Sequence, residues 1–252
     1  MIMKLLKLHL DSSILNKRMF KLVDFEKDWI GYGSFEAKAC EKYLPDYVQI
    51  SINSLDTEII HHFEGQGYRF SEFRINRKLN LQSNNISDSY LFPYSINQVA
   101  NNNQLKTVLE IAKEVHFDDR FSSDYSMSEM TPIKRNLTFL KKSYQKKDEF
   151  LLFYSNQQSG KILGYQSGKF INEKEVLLFL TGLTVDFESK KYRGLFDLLF
   201  YKWLINNHVK HINAVSNGVN LTELNLAFQS QSYEIVSTEI VLRKWFSQIG
   251  YL

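Results

Sequence analysis

The sequence has little cysteine, little proline and no long apolar run. Its one cysteine, Cys40, excludes an intrachain disulfide and a zinc site built from several cysteines, so we expect the reducing cytoplasm. No segment reaches the roughly 18 apolar residues that a membrane-spanning helix needs, so we expect no membrane partner. The net charge of +3 does not provide the dense basic surface of a nucleic-acid-binding protein.

The chain is instead rich in apolar and aromatic side chains. Its 252 residues are 44% hydrophobic, enough for one large domain or two modest ones. A polar stretch over residues 80–95, with Asn84, Asn85 and Pro93, predicts a linker. We therefore predict a first unit of residues 1–93 and a second unit of residues 94–252. The sequence shows no internal repeat.

The most informative segment is a strand followed by a basic turn and a helix. Val176–Val185 is apolar and β-branched without any charge, which predicts a strand covered on both faces. A basic turn, Lys191–Gly194, leads into a helix whose apolar residues recur at helical spacing up to Asn206. The first amides of a helix lack partners and its dipole is positive there, so this segment predicts a phosphate-binding site.

The turn Lys191-Tyr192-Arg193-Gly194-Leu195-Phe196 resembles the pyrophosphate loop of the GNAT superfamily of N-acyltransferases, whose pattern is Arg/Gln-x-x-Gly-x-Gly/Ala. The glycine is kept, the first position is a lysine, and a phenylalanine replaces the last small residue. The predicted elements after residue 94 also follow the GNAT order. The resemblance implies an α/β (α+β) GNAT fold with a mixed, largely antiparallel, splayed sheet, preceded by a smaller, partial GNAT-like domain.

The resemblance also implies an acyl-CoA substrate and no metal. The strand supplies backbone groups for the pantetheine arm, with the Leu183 backbone as oxyanion donor, and Gly182 permits a bulge or a close ligand approach. The pyrophosphate is expected on the amides after the turn. The cofactor-binding positions implied in this way are Leu183, Thr184, Val185, Lys191, Tyr192, Arg193, Gly194, Leu195, Phe196, Asn220 and Phe228.

A second segment, from Asn220 to Tyr233, resembles the family motif Asn-x-x-Ala-x-x-Leu-Tyr with its following Gly-Phe. Alignment on Ser232-Tyr233 puts Phe228 in the tyrosine position, and alignment on Asn220 puts Ala227 there. Neither side chain carries a proton, so the usual acid of the family is missing. We expect Asn217 or Asn220 to line a water path for the proton instead.

One branch of the family, TDP-fucosamine acetyltransferase and related enzymes, resembles the chain further. Phe117–Asp124 is similar to the segment Phe-x-x-x-Arg-Phe-x-x-Asp of that branch, which implies a wall of the acceptor site; the alternative is a helix end with a polar loop. The implied substrate-binding residues are His116, Arg120, Phe121, Asp124 and Tyr125.

The acceptor implied by this branch is the amine of a nucleotide-linked (dTDP) deoxy amino sugar, used for surface polysaccharide. We also expect a homodimer. Another amine remains open as the acceptor, namely a protein N-terminus, a polyamine or an aminoglycoside. A different class of function, a catalytically inactive acyl-CoA-binding module, also remains open because the motif tyrosine is absent.

Overall fold

The computed structural model describes residues 3–25, 29–81, 93–115, 130–184, 190–225, 227–228 and 233–246. The elements before residue 93 are β1 (Lys4–Lys7), α1 (His9–Leu15), β2 (Met19–Val23), a 3-10 helix (Trp29–Gly31), α2 (Tyr32–Tyr43), β3 (Tyr47–Asn53), α3 (Thr57–Gly65) and β4 (Arg69–Asn80). The elements after it are β5 (Tyr94–Gln98), α4 (Asn102–Glu114), α5 (Met130–Gln145), β6 (Glu149–Asn156), β7 (Ile162–Asn172), β8 (Glu175–Leu183), α6 (Lys190–Asn206), β9 (His211–Asn217), α7 (Leu221–Asn225) and β10 (Glu234–Trp245).

The sequence explains where the elements of the second unit begin. The Asn101 side chain accepts a hydrogen bond of 3.0 Å from the Gln104 amide and so caps α4. Pro132 lies in the first turn of α5, where its missing N–H costs nothing. The Asn156 side chain accepts bonds from the amides of Gln158 and Ser159 and turns β6 into β7.

The strands of the described residues form one ten-stranded sheet in the order β1-β2-β3-β10-β4-β9-β8-β7-β6-β5. Only β2–β3 and β8–β9 are parallel among these pairs. The predicted mixed, largely antiparallel sheet is therefore confirmed. Among the described residues, no helix is both long and apolar enough to cross a membrane.

The two units exchange their last strands. The final strand of the chain, β10, lies between β3 and β4, and β4 in turn lies between β10 and β9. Each unit therefore depends on the other for one strand of its sheet. The boundary at residue 93 stays a prediction, because the sheet runs through both units without interruption.

The topology repeats although the sequence does not. In both units a strand, a helix, a parallel strand, a helix and an antiparallel strand follow one another: β2-α2-β3-α3-β4 and β8-α6-β9-α7-β10. The parallel strands pair over only three positions in each unit, Met19–Lys21 with Tyr47–Gln49 and Glu175–Leu177 with His211–Asn213. A fold needs a matching pattern of buried positions rather than matching residues, which hides the repeat from the sequence.

Two hydrophobic clusters cover the faces of the second unit. Phe196, Leu199 and Phe200 of α6 pack against β6, β8 and β9 on one face. The opposite face packs against α4 and α5, through Val108 and Leu140 among others. The central strands are thus covered on both faces, which explains their nearly uncharged sequences.

Candidate active site

The strands β8 and β9 separate toward their carboxyl ends. Their pairing ends at Leu177 and Asn213, while β8 continues to Leu183 and β9 to Asn217. The prediction that these two strands are neighbours and splay apart is confirmed. Backbone groups on the facing edges beyond Leu177 lack the other strand as a partner, so the opening offers hydrogen-bonding groups to a ligand.

A β-bulge produces this separation. Gln166 pairs with Thr181 and Gly168 pairs with Leu178, so β8 carries one residue more than β7 between these pairs. The buried Ser167 hydroxyl accepts a 2.9 Å bond from the Leu180 N–H and donates a 3.0 Å bond to the Leu180 carbonyl. Ser167 therefore satisfies both backbone groups of a bulged residue and fixes the bend of β8.

The Leu183 N–H points into the opening. The next amide along the strand, that of Thr184, donates a 2.8 Å bond to the Leu163 carbonyl on the β7 side. Successive N–H groups of a strand point to opposite edges, so that of Leu183 faces the side that β9 has left. The Thr184 hydroxyl is buried beside it and has no hydrogen-bond partner among the described residues. Both groups are suited to bind a carbonyl oxygen or an amide in the opening.

Gly182 has a different reason from the one expected. A Cβ at this position would lie 2.5 Å from the Tyr165 ring and 2.9 Å from Val115. The close approach is therefore made by the protein's own side chains, and the bulge lies at Phe179–Leu180 rather than at Gly182. The expectation that Gly182 makes room for a ligand or forms the bulge is corrected accordingly.

The helix α6 begins at Lys190, so the predicted turn is already the first turn of this helix. Lysine, tyrosine and arginine have adequate helix propensity, which explains the earlier start. The free amides are those of the first turn, whereas the amides of Leu195 and Phe196 lie within the helix. Phe196 is 2% exposed and its ring stacks on Tyr154 at 4.7 Å, so its side chain belongs to the core.

Gly194 leaves space beside the first turn. A Cβ at this position would meet nothing within 4 Å among the described residues. The Arg193 side chain lines the cavity between the separated strands, which places a fixed positive charge near the helix N-terminus. A helix N-terminus, an open glycine and an arginine are together suited to bind a phosphate group.

A buried ion pair forms the wall opposite β8. Arg77, on the exchanged strand β4, is 6% exposed and pairs with Glu223 of α7. Ser216 of β9 donates a 3.1 Å bond to the same carboxylate. The guanidinium carbon of Arg77 also lies 4.4 Å from the ring centroid of Tyr233. The first unit therefore contributes a residue to the cavity of the second.

Two tyrosines line the same cavity, Tyr201 of α6 and Tyr233 just before β10. Burial raises the pKa of Tyr233 to about 12, while the positive charge of Arg77 and a hydrogen bond from Tyr201 oppose that rise. Burial raises the pKa of Tyr201 further, and the nearby Tyr233 and Asp197 add to the increase. Both side chains are neutral phenols at pH 7, so both are proton donors.

The asparagines expected on the proton path have structural partners. The Asn220 side-chain oxygen accepts a 3.0 Å bond from the Glu223 amide and caps α7. The Asn217 side-chain oxygen accepts a 3.2 Å bond from the Val219 amide and holds the turn after β9. Phe228 packs partly buried against the α6 cluster, and Ala227 is fully buried. Neither alignment of the second motif thus places a proton donor in the tyrosine position.

Several predicted site residues lie outside the described part of the chain. Val185 and the acceptor-site residues His116, Arg120, Phe121, Asp124 and Tyr125 fall in the two stretches 116–129 and 185–189. The backbone of Lys191 and Tyr192 lies in the first turn of α6.

The sequence analysis did not identify Arg77 or Tyr201 as residues of the site. Tyr233 carries a signal, since it occupies the Phe position of the Gly-Phe pair. Arg77 carries none, because β4 precedes the second unit in the chain.

Comparison with solved structures identifies the architecture. A GCN5-related N-acetyltransferase from Sphaerobacter thermophilus superposes with a TM-score of 0.63 at 13% identity, over 96% of this chain and 76% of that one. A tandem GNAT protein from the clavulanic acid biosynthesis pathway gives a TM-score of 0.58 at 11% identity, over 90% and 75%. A functionally unknown conserved protein from Staphylococcus epidermidis gives 0.62 at 10% identity, over 91% and 84%.

No family model and no curated protein matches the sequence. Identities this low establish the fold alone. The splayed strands, the strand order and these superpositions agree, and the chain has the two-unit α/β fold of the GNAT N-acetyltransferases.

Proposed function

We propose that the chain is an acyl-CoA-dependent N-acyltransferase whose active site is the opening between β8 and β9. The observation that carries the proposal is the end of strand pairing at Leu177 and Asn213, with a bulge in β8 and a cavity beyond it. Acyl transfer to an amine needs a bound thioester, a donor for the developing oxyanion and a proton for the leaving thiolate. The opening contains a group suited to each of these tasks.

The thioester is oriented by backbone groups in this proposal. The pantetheine arm lies along the free edge of β8, and the Leu183 N–H donates to the thioester oxygen as negative charge develops there. The pyrophosphate lies at the N-terminus of α6, with Lys191 and Arg193 supplying charge and Gly194 supplying room. Asn220 holds the start of α7 and Phe228 packs behind it, so both shape the pocket rather than react.

The acceptor in this proposal is the amine of a dTDP-linked deoxy amino sugar, used in surface polysaccharide synthesis. The charges on the cavity wall support a ligand that is not a polycation, since Arg77 and Arg193 are balanced by Asp197 and Glu223. His116, Arg120, Phe121, Asp124 and Tyr125 are proposed as the acceptor wall. The proposal further places the chain in the cytoplasm as a homodimer.

Two measurements test the cofactor and the chemistry separately. Calorimetry with acetyl-CoA tests binding, and thiol release on addition of an amine tests turnover. The proposal expects both signals. Binding without thiol release on any amine would favour the second candidate, an inactive acyl-CoA-binding module. The observation that favours this candidate is that Phe228 and Ala227, at the position of the usual acid, carry no proton.

The acceptor class is tested with a panel of amines at fixed acetyl-CoA. We expect turnover on dTDP-linked amino sugars and much lower kcat/KM on spermidine or an aminoglycoside. The free amino sugar without its nucleotide is the matched control, because it offers the same amine without the diphosphate. Activity on spermidine or the aminoglycoside alone would replace the acceptor while leaving the acyltransferase assignment intact.

A further inference from the structure

The hydroxyls of Tyr201 and Tyr233 form a linked pair on the cavity wall. The Tyr201 hydroxyl donates a hydrogen bond to the Tyr233 oxygen. A phenol that accepts one bond still has its own O–H to donate. Since Tyr233 is only 6% exposed and lines the cavity, the acceptor for that O–H is a ligand atom inside the opening.

The surroundings of Tyr233 favour loss of its proton more than those of Tyr201. The Arg77 guanidinium lies over the Tyr233 ring and the Tyr201 hydroxyl bonds to its oxygen, and both stabilise a phenolate. Tyr201 instead has Tyr233 and Asp197 nearby, and both disfavour its phenolate. The pair is thus polarised, with Tyr233 as the group that gives up a proton and Tyr201 as the group that supports it.

We infer, on the basis of the proposed acyltransferase function, that the Tyr233 hydroxyl protonates the departing coenzyme A thiolate. Tyr201 and Arg77 are positioning residues for this step. The acid has therefore moved from the helix position that Phe228 occupies to the residue that begins β10. Arg77 reaches it from the exchanged strand β4, so the first unit completes the catalytic site of the second.

The step balances without any further reactant. The amine nitrogen forms a bond to the carbonyl carbon, and the carbon–sulfur bond breaks with its electron pair on sulfur. Tyr233 gives its proton to that sulfur and becomes a phenolate beside Arg77. The proton lost by the attacking ammonium passes to solvent, and the phenolate regains a proton from solvent. The products are an amide and a neutral thiol.

The repeated topology supplies a matched control. Tyr68 begins the other exchanged strand, just as Tyr233 begins β10, and it is also buried. Its hydroxyl lies 2.5 Å from that of Tyr32, so it too belongs to a tyrosine pair. Tyr68→Phe therefore makes the same chemical change in an equivalent setting of the first unit, away from the β8–β9 opening.

The experiment compares Tyr233→Phe and Tyr68→Phe with the wild type, with acetyl-CoA and the best amine of the panel. We expect Tyr233→Phe to lower kcat by ~10²–10⁴-fold, the usual contribution of a positioned proton donor. Its acetyl-CoA affinity by calorimetry should stay unchanged, because the ring remains. Tyr68→Phe should keep the wild-type kcat. Melting curves of both variants identify any loss caused by unfolding alone.

A second measurement separates an acid from a structural hydroxyl. Fluorotyrosine at position 233 has a more acidic hydroxyl and keeps the ring. If Tyr233 is the acid, the modified enzyme shows a falling limb of kcat at high pH that the wild type lacks in the same range, because the rate falls as the donor loses its proton. A structural hydroxyl produces no new limb.

The outcomes are distinct. A wild type that binds acetyl-CoA but never releases thiol overturns the acyltransferase proposal and this inference together. An active wild type with an equally active Tyr233→Phe variant, or a fluorotyrosine enzyme without a new limb, overturns only the inference about Tyr233.

Discussion

Arg77 lies 4.4 Å over the ring of Tyr233, and this contact joins the two units at the cavity. Arg77 belongs to β4 of the first unit, and Tyr233 begins β10 of the second. The converse contact also exists, since the Lys244 ammonium of β10 lies 5.8 Å from the ring centroid of Tyr68, which begins β4. Each exchanged strand thus places a cation over the tyrosine that begins the other. Only the second unit has its tyrosine on the described cavity of the β8–β9 opening.

The ion pair between Arg77 and Glu223 should be costly to break and cheap to replace. Arg77→Met leaves the Glu223 carboxylate without its cation in a mostly buried position, so we expect a loss of about 3 kcal/mol in the free energy of unfolding, at the lower end for buried pairs. The double variant Arg77→Met with Glu223→Leu should recover most of that loss. Urea unfolding of the three proteins measures this.

The exposed pair between Lys113 and Glu110, 2.8 Å apart, is the control. Lys113→Met should change stability by less than about 1 kcal/mol, because solvent screens exposed pairs. Equal losses for Lys113→Met and Arg77→Met would contradict the view that burial makes the Arg77 pair important.

The strand exchange predicts that the two units do not fold alone. A fragment of residues 94–252 lacks β4, so β9 and β10 lose the strand that joins them and expose two open edges. We expect this fragment to show no cooperative thermal transition by circular dichroism. Co-expression with residues 1–93 should restore a folded complex that copurifies. A fragment 94–252 that melts cooperatively by itself would contradict this prediction.

The sequence predicted best where a pattern was local and strong. The uncharged strand of β8, the amphipathic α6 and the Asn101 start of α4 follow from hydrophobic period and capping, and the structure places them within a few residues of the predicted bounds. The short β1 and α1 were not predicted, because four to seven residues carry too little periodicity.

The cavity wall was beyond a reading of the sequence for a different reason. The contact of Arg77 with Tyr233 depends on β10 entering the sheet between β3 and β4, and no local pattern specifies a partner that distant. The same holds for Gly182, whose need for a small side chain comes from the Tyr165 ring on the adjacent strand. The position of the loop glycine, Gly194, was predictable from its motif, but the start of α6 at Lys190 was not.

Two substitutions at Gly194 should separate folding from cofactor binding. Gly194→Ala adds a methyl group into open space and improves helix propensity by up to about 1 kcal/mol, so it should keep coenzyme A affinity. Gly194→Asp adds an anion that the helix N-terminus tolerates but that repels a pyrophosphate. We expect at least a roughly tenfold rise in the Kd for coenzyme A, or about 1.4 kcal/mol, by calorimetry.

The melting temperature of Gly194→Asp should remain at or above the wild-type value. A variant that melts normally and binds coenzyme A as tightly as the wild type would show that the pyrophosphate lies elsewhere. A variant that loses both stability and binding would show that the space beside Gly194 is not open in solution.

The last prediction concerns the bulge that opens the site. Ser167→Ala leaves both the N–H and the carbonyl of Leu180 without their hydroxyl partner in a buried position, which should lower stability by about 1–3 kcal/mol. The matched control is Ser95→Ala. Its hydroxyl bonds only to that of Ser155, at 3.0 Å on the edge strand, so a smaller loss is expected there. The functional effect should also differ between the two variants.

Without the Ser167 hydroxyl, β8 has no support for its extra residue and the Leu183 N–H is held less firmly toward the opening. That amide is proposed to stabilise the oxyanion, so Ser167→Ala should lower kcat more than it raises the KM for acetyl-CoA. Ser95→Ala should leave both constants unchanged. A Ser167→Ala enzyme with normal kcat and a raised KM would instead assign the bulge to cofactor binding alone.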